Sequence, residues 1–255
     1  MEVASVDGTG IHYEVYGDGP TVVLAHGSLM EGASWVEAGY VDALKDFRCA
    51  VMDCRGYGAS DKSHEPLSYA VERYVEDIVA VADAVGAQRF GVAGYSFGTA
   101  GAWSVSAAYP DRILALIAIG GWHPNLYSFD LEIMEKTRIE PMQQIGVEGF
   151  VEFMKVQEGP LPDWWAQQVR ACDPDAYIAQ RYAAIDWTVL SPIEVTAPAL
   201  LVSGSTEDTG RDSELIAGVL DHGEALIVEG KGHCQNFIAP ETIAATRAFF
   251  QKHLG

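Results

Sequence analysis

Residues 89–98 read RFGVAGYSFG, a strand-type run that ends in the pattern G-x-S-x-G at Gly94–Gly98. The small-residue segment Phe97–Tyr109 follows and stops before Pro110, which is typical of a helix. A serine between such a strand and such a helix occupies a sharp turn that lifts its hydroxyl above the sheet edge. We therefore predict Ser96 as a nucleophile, against the alternative of a tight strand–helix turn with an idle serine.

Short apolar runs alternate with helical segments along most of the chain. This alternation is typical of an α/β fold, an open and mostly parallel sheet with helices on both faces. The predicted strands are an opening hairpin around Asp7–Gly10, then Thr21–Ala25, Phe47–Asp53, Arg89–Tyr95, Arg112–Ile119, Pro198–Ser203 and Ala225–Glu229. The predicted helices are Val71–Val85, Phe97–Tyr109, Asp212–Leu220 and Pro240–His253.

One long segment interrupts this alternation. Residues 123–191 contain no convincing strand, but they hold several amphipathic stretches and many large aromatic side chains. We interpret this segment as a helical insertion between two strands of a core formed by residues 1–122 and 192–255.

Composition and charge narrow the function classes. Hydrophobic residues make up 49% of the 255 residues and charged residues 20%, which excludes a disordered chain. The net charge of −20 repels phosphate backbones and anionic lipid surfaces, so we expect a small-molecule substrate and neither nucleic acid nor a membrane as partner. The sequence leaves a homodimer open.

The cysteines and the first residues bear on cofactors and location. The four cysteines include no C-x-x-C pair, so we expect neither a zinc site nor a disulfide framework. Residues Met1–Gly8 lack a basic, apolar leader, and we therefore expect a cytoplasmic location.

His233 is the predicted base. A serine hydroxyl is a weak nucleophile until an imidazole takes its proton, and the base should follow Ser96 near the end of the chain. His233 closes the glycine-rich loop Gly230–His233 after the last predicted strand, and the other histidines lie in less suitable places. The acid that orients this imidazole should follow the strand Pro198–Ser203, where Glu207 and Asp208 are adjacent and both stay candidates.

The loop after the strand Thr21–Ala25 is the second half of the predicted site. An oxyanion hole needs two backbone donors, which we assign to the N–H groups of Ser28 and Phe97. We interpret His26 as a structural histidine rather than the base. The segment Asp53–Ser60 is interpreted as a hydrogen-bonded structural loop.

Together these motifs resemble the α/β-hydrolase family, in its compact esterase-like branch. The resemblance runs from residues 12–20 to 231–237 and leaves out the insertion; its motifs are His26-Gly27, D-x-R-G-x-G-x-S at Asp53–Ser60, G-x-S-x-G and the late Gly232-His233. It implies an eight-stranded sheet with a mobile helical cap over the site. In relatives the acid stands three residues after the strand-ending glycine, which favours Glu207, while residue type favours Asp208.

The expected activity is hydrolysis of a carboxylic ester or lactone of a small, apolar or aromatic substrate through an acyl-enzyme, with no metal or organic cofactor. The resemblance implies that family members which open epoxides or remove halogens have aspartate at the nucleophile position. Ser96 at this position therefore argues against both activities. Three alternatives stay open: a C–C bond hydrolase with the same triad, a cofactor-independent dioxygenase or lyase, and a non-enzymatic ligand receptor. The candidate substrate-binding residues are Leu29, Trp122, Trp164 and Trp187, although such aromatics also supply the core of a cap.

Overall fold

The computed structural model describes residues 1–121, 131–187, 194–207 and 210–255. Its centre is an eight-stranded sheet with the order β1-β2-β4-β3-β5-β6-β7-β8, antiparallel at β1–β2 and β2–β4 and parallel elsewhere. The strands are β1 (Glu2–Ala4), β2 (Gly10–Tyr16), β3 (Thr21–Ala25), β4 (Arg48–Met52), β5 (Phe90–Tyr95), β6 (Ile113–Ile119), β7 (Ala199–Gly204) and β8 (Gly223–Val228). The predicted α/β fold with a mostly parallel, eight-stranded sheet is confirmed.

The interior strands are buried on both faces. Every residue of β3, β5 and β7 is buried, as expected for parallel strands that helices cover on both sides. Because each fully buried Val or Leu side chain contributes about 1.5–3 kcal/mol, these continuous apolar runs hold the centre of the sheet in place. The observed strand β3 has the same ends as the predicted one.

Helices flank the sheet, and the longer ones agree with the sequence pattern. They are α1 (Ala33–Glu37), α2 (Tyr40–Ala43), α3 (Val71–Ala84), α4 (Gly98–Ala108), α5 (Leu131–Glu158), α6 (Asp163–Ala171), α7 (Pro174–Ile185), α8 (Gly210–Val219), α9 (His233–Phe237) and α10 (Pro240–Leu254), with a 3-10 helix at Pro66–Tyr69. The short elements α1, α2, α9 and the 3-10 helix were not predicted, because four or five residues carry too little periodicity to reveal a helix.

In the described part of the segment between β6 and β7, where the sequence predicts a helical insertion, the structure has the helices α5 to α7. Helix α5 is interrupted at Gly146, whose φ of 63° lies in the left-handed region. The predicted ends of the insertion fall in residues 122–130 and 188–193, outside the described residues. None of the helices in the described part of the chain is both long and apolar enough to cross a membrane.

The sheet order places the candidate site. β3 lies between β4 and β5, so the direction in which strands are added to the sheet reverses at this point. Ligands of such sheets bind beyond the carboxyl ends of the strands at the reversal. The loops after β3, β5, β6, β7 and β8 therefore share one edge, and they carry Ser28, Ser96, Gly120, Glu207 and His233.

Candidate active site

Ser96 occupies the strained turn between β5 and α4. Its φ is 49°, a conformation that costs a non-glycine residue about 1–3 kcal/mol. Two glycines permit the turn: a Cβ on Gly94 would lie 2.6 Å from the carbonyl carbon of Gly98, and one on Gly98 would lie 2.5 Å from the carbonyl oxygen of His26. The N–H of Ser96 donates to Ile119 of β6 at 2.8 Å, which anchors the turn to the sheet.

The His233 imidazole lies beside the Ser96 hydroxyl. Its Nε2 atom is 2.8 Å from Ser96 Oγ, and its Nδ1 atom is 3.2 Å from Glu207 Oε2. The ring of Tyr95 stacks against the imidazole, with centroids 5.2 Å apart and an interplanar angle of 27°. The structure therefore brings together the predicted nucleophile, the predicted base and one of the two candidate acids.

Glu207 is a buried carboxylate held from several sides. Its side chain is 3% exposed, and its Oε1 atom accepts hydrogen bonds from the N–H of Gly204 at 2.6 Å and from Asn236 Nδ2 at 3.1 Å. Asn236 is in turn fixed by Thr242, whose hydroxyl donates to Asn236 Oδ1 at 2.8 Å. Because Oε1 is occupied in this way, Oε2 is aimed at the imidazole. The alternative acid, Asp208, lies outside the described residues.

The two predicted oxyanion donors lie on adjacent strand ends. Ser28 and Phe97 line one cavity together with Ser96 and His233. Among the described residues, the N–H of Ser28 has no hydrogen-bond partner, so this donor is available to a ligand. The neighbouring Leu29 has a φ of 62°, which marks a second strained turn at this edge.

The structural interpretation of His26 agrees with its surroundings. The ring is buried, its Nδ1 donates to the carbonyl of Gly27 at 2.7 Å, and its Nε2 accepts from the N–H of Cys54 at 2.9 Å. Burial lowers the pKa of His26 and so favours this neutral ring. Asp53 likewise accepts hydrogen bonds from the N–H groups of Gly32 and Ala59. The loop after β3 and the segment Asp53–Ser60 are therefore held against each other.

The cavity above Ser96 has a volume of about 1010 Å³, at the upper end of the range for small-molecule sites. Its apolar wall combines the loop after β3 with the helices between β6 and β7. The described residues of this wall include Leu29, Phe150, Phe153, Met154 and Trp165. Leu29, a candidate substrate-binding residue, thus lines the cavity.

The predicted tryptophans lie in different places relative to this cavity. Trp165, with 2% of its surface exposed, lines the cavity, whereas Trp164 does not. Adjacent helical residues point about 100° apart, so the two side chains leave the helix in different directions. Trp187 is not among the lining residues either. Its ring centroid lies 4.7 Å from that of Phe97, and its Nε1–H donates to the carbonyl of Tyr69 at 2.9 Å. Trp122 lies outside the described residues.

Sequence reasoning missed four polar residues of this region: Asn236, Gln180, Arg138 and Arg181. Asn236 lies three residues after His233 on α9, a spacing that places both side chains on one helix face. Arg181 lies four residues after the buried Tyr177 and shares its face. A charged residue on the buried face of a helix was the signal that could have identified Arg181.

A possible metal-binding group lies elsewhere on the surface. Within the described ranges, His64, Asp173 and Asp175 bring their ligand atoms within 4.8 Å of one another. Asp173 caps α7 by accepting from the N–H groups of Asp175 and Ala176, and it lies 3.0 Å from His64 Nε2. The capping bonds of Asp173 and its contact with His64 explain why these three side chains lie together without a bound ion.

Comparison with known proteins agrees with this architecture. The family model described as "alpha/beta hydrolase fold" matches residues 20–191. Epoxide hydrolase B of Mycobacterium tuberculosis is 35% identical over 101 residues, which are 40% of this chain but only 28% of that protein. A Caulobacter vibrioides protein named "Putative carbamate hydrolase RutD" is 27% identical over 95% of this chain and 94% of its own length.

Among solved structures, the esterase EaEST from Exiguobacterium antarcticum superimposes with a TM-score of 0.84 at 19% identity, with 99% of each chain covered. At that identity the likeness establishes the fold alone. The family match covers well over half of the chain and includes the strand–serine–helix turn at Ser96. The chain therefore belongs to the α/β-hydrolase family.

Proposed function

We propose that this protein is a serine hydrolase that cleaves a carboxylic ester or lactone through an acyl-enzyme. The observation that carries the proposal is the 2.8 Å separation of His233 Nε2 and Ser96 Oγ, two residues that line a large cavity. A general base must lie within about 2.6–3.2 Å of the proton that it abstracts. Glu207 completes a Ser-His-Glu triad in the chain order that the nucleophile turn requires.

The first half of the reaction forms the acyl-enzyme. His233 takes the proton of Ser96 as the hydroxyl oxygen attacks the carbonyl carbon, and the N–H groups of Ser28 and Phe97 hold the resulting oxyanion. The C–O bond to the alcohol then breaks, and His233 delivers its proton to the leaving oxygen. Glu207 stabilises the imidazolium without itself being protonated.

The second half releases the acid. His233 deprotonates a water molecule, which attacks the acyl carbon, and the proton returns to Ser96 as the ester bond to the enzyme breaks. For a lactone the alcohol stays attached to the acyl group, so the product is a single hydroxy acid. This cycle uses only the residues of the chain and water.

We also propose that the segment between β6 and β7 acts as a cap over the site. Helices α5 to α7 supply much of the described cavity wall, so a substrate would lie between them and Ser96. The apolar side chains of this wall suit an apolar or aromatic acyl group.

The named relatives bear on the choice of bond. Ser96 stands at the nucleophile position, which argues against epoxide opening despite the partial likeness to an epoxide hydrolase. A carbamate carbonyl is open to the same serine attack, so carbamates belong in the substrate panel beside esters and lactones.

The test compares hydrolysis of p-nitrophenyl esters of graded chain length by the wild type, Ser96→Ala and Ser106→Ala. Ser106 is a matched control, because it is buried in α4 and donates to a carbonyl of its own helix. We expect Ser96→Ala to lower kcat by about 10⁴-fold or more and Ser106→Ala to leave it within a few-fold. Ester turnover that survives in Ser96→Ala, or a wild type without turnover on any ester, lactone or carbamate, would contradict the proposal.

A further inference from the structure

Two arginines face the cavity above Ser96: Arg138 of α5 and Arg181 of α7. The chain has 16 basic residues against 36 acidic ones, so positive charge at one cavity is notable. Arg181 is 7% exposed. Arg138 is 41% exposed along its side chain, but its Nη1 atom is buried. Buried arginines normally pair all their donors, because an unpaired buried charge is strongly destabilising.

The carboxylate of Glu135 lies beside both guanidinium groups, but it does not accept from all of their N–H donors. Glu135, which is fully buried, accepts from Arg181 Nη1 at 3.2 Å through Oε2. Its Oε1 atom is 3.5 Å from Arg138 Nη1, with no hydrogen bond between them. In the described part of the chain, Arg138 Nη1 and Arg181 Nε are both buried without a hydrogen-bond partner. The trio therefore carries one excess positive charge and two buried N–H donors available for an acceptor.

Two further carboxylates line the cavity, Glu158 and Glu207, and the negative charge of Glu158 also acts on Arg138. Glu207 accepts from Gly204 and Asn236 and faces His233. Glu158 also lines the cavity, and its Oε2 atom accepts from the N–H of Cys234 at 3.3 Å. Each of these carboxylates has donors within the chain. Burial, together with the neighbouring Arg181, lowers the pKa of Arg138, which an anion beside it would offset.

Arg181 lies beside the ring of Phe97, the residue that follows the proposed nucleophile. The guanidinium carbon of Arg181 is 4.9 Å from the centroid of the Phe97 ring, and Phe97 directly follows Ser96. It is also 5.1 Å from the ring of Tyr177, so the side chain is held between two aromatic faces. Because Ser96, Arg138 and Arg181 line the same cavity, one ligand in it faces both the hydroxyl and the guanidinium groups.

We propose that this cavity binds substrates that carry a carboxylate in addition to the scissile ester or lactone, and that Arg138 and Arg181 bind this carboxylate. The planar fork of arginine matches the two oxygens of a carboxylate, and charge-assisted hydrogen bonds are about twice as strong as neutral ones. The hydrolytic step rests on the function proposed above, whereas binding of the carboxylate does not.

The experiment measures binding in the Ser96→Ala variant, which keeps the cavity but removes the proposed nucleophile. Monomethyl glutarate carries one carboxylate and one ester, and dimethyl glutarate is its uncharged counterpart. By isothermal titration we expect the monoester to bind at least tenfold more tightly. Arg138→Gln and Arg181→Gln, each added to Ser96→Ala, should reduce this ratio to less than threefold. Arg170→Gln is the control, because Arg170 is exposed and pairs with Glu148 on the surface.

Equal binding of the two esters, tighter binding of the diester, or no binding of either would overturn the proposal. If Arg181→Gln fails to fold, Arg138→Gln and a salt titration decide instead. The preference for the monoester should fall as NaCl rises, since charge–charge attraction is screened. A preference that is unaffected by salt would overturn the proposal. Failure of the hydrolase proposal would appear separately, as a wild type that turns over no ester, lactone or carbamate.

Discussion

The hydroxyl of Ser28 donates a 3.2 Å hydrogen bond to the side-chain oxygen of Gln180, 152 residues further along the chain. The same oxygen accepts from Tyr57 at 2.5 Å, and Gln180 Nε2 donates to the hydroxyl of Tyr74 at 2.7 Å. Gln180 is fully buried, and its bonds with Tyr57 and Tyr74 are shielded from water. The loop with a candidate oxyanion donor is thereby tied to a helix of the proposed cap.

Replacement of Gln180 should therefore affect turnover more than affinity. In Gln180→Leu the buried hydroxyl groups of Tyr57 and Tyr74 and the partly buried hydroxyl of Ser28 lose their partner, and we expect the free energy of unfolding to fall by about 1–3 kcal/mol. Because Ser28 also loses its anchor, we expect kcat on an ester to fall at least tenfold while KM changes little. The exposed Gln144 of α5 supplies the control Gln144→Leu. A purely structural role would lower stability and leave kcat of the folded variant unchanged.

The contact of Glu207 with His233 predicts which acidic residue supports catalysis. We expect Glu207→Gln to lower kcat by about 10⁴-fold, because an amide can neither fix the imidazole tautomer nor stabilise the imidazolium. Asp208→Asn is the neighbouring control and should change kcat by less than about threefold. Steady-state kinetics on one ester would check both variants, and the reverse order of effects would assign the acid to Asp208.

The core of the site was predictable from sequence because it depends on short-range rules. Ser96 and His233 each follow a strand, and the ends of parallel strands meet at one sheet edge, so their proximity follows from strand order alone. The acid was narrowed to Glu207 and Asp208 but not decided. Adjacent loop residues point in different directions, and the bonds from Gly204 and Asn236 that orient Glu207 come from distant parts of the fold or from the strand end.

Residues of the insertion were harder to predict, because their positions depend on how its helices pack rather than on short-range rules. Whether Trp164 or Trp165 faces the cavity depends on the rotation of α6 against the core, which no local pattern specifies. Arg138 and Arg181 meet around Glu135 only after α5 and α7 pack together. Such long-range contacts between helices leave no fixed spacing in the sequence.

The buried ion pair of Arg55 and Asp77 should dominate the stability of the N-terminal half. Arg55 Nε and Nη2 donate to the two oxygens of Asp77 at 2.7 and 2.6 Å, and both side chains are almost fully buried. Arg55→Leu leaves the carboxylate uncompensated, so we expect a loss of about 3–5 kcal/mol in the free energy of unfolding. The exposed pair of Arg48 and Asp18 is the control, and Arg48→Leu should cost no more than about 1 kcal/mol.

Urea unfolding measures both losses. The double variant Arg55→Leu, Asp77→Leu should recover part of the stability lost by Arg55→Leu, because it removes the stranded charge. A double variant less stable than Arg55→Leu alone would show that the arginine acts through packing rather than through its charge.

Asp7 gives a pH dependence with a defined sign. Burial alone would raise its pKa, but hydrogen bonds from Arg55 and Thr9 lower the pKa below the usual range. A carboxyl group with a depressed folded-state pKa stabilises the fold above its unfolded pKa of about 3.9, and this contribution is lost as the pH falls below that value. Asp7→Asn should therefore be less stable than the wild type at pH 7, and the difference should shrink at pH 3.

Unfolding curves of both proteins at the two pH values check this expectation. Asp221, which is exposed and forms no ion pair among the described residues, supplies the control Asp221→Asn with little effect at either pH. A difference between Asp7→Asn and the wild type that widens toward pH 3 would contradict the account.

The most direct test of the account is whether His233 activates Ser96 as a nucleophile. We would incubate the wild type and His233→Ala with a fluorophosphonate probe and locate the adduct by peptide mass spectrometry over time. The account predicts a single rapid adduct on Ser96 in the wild type, formed at least 100-fold more slowly in His233→Ala, because the hydroxyl is a weak nucleophile without its base. No adduct on Ser96, or equal rates in the two proteins, would contradict it.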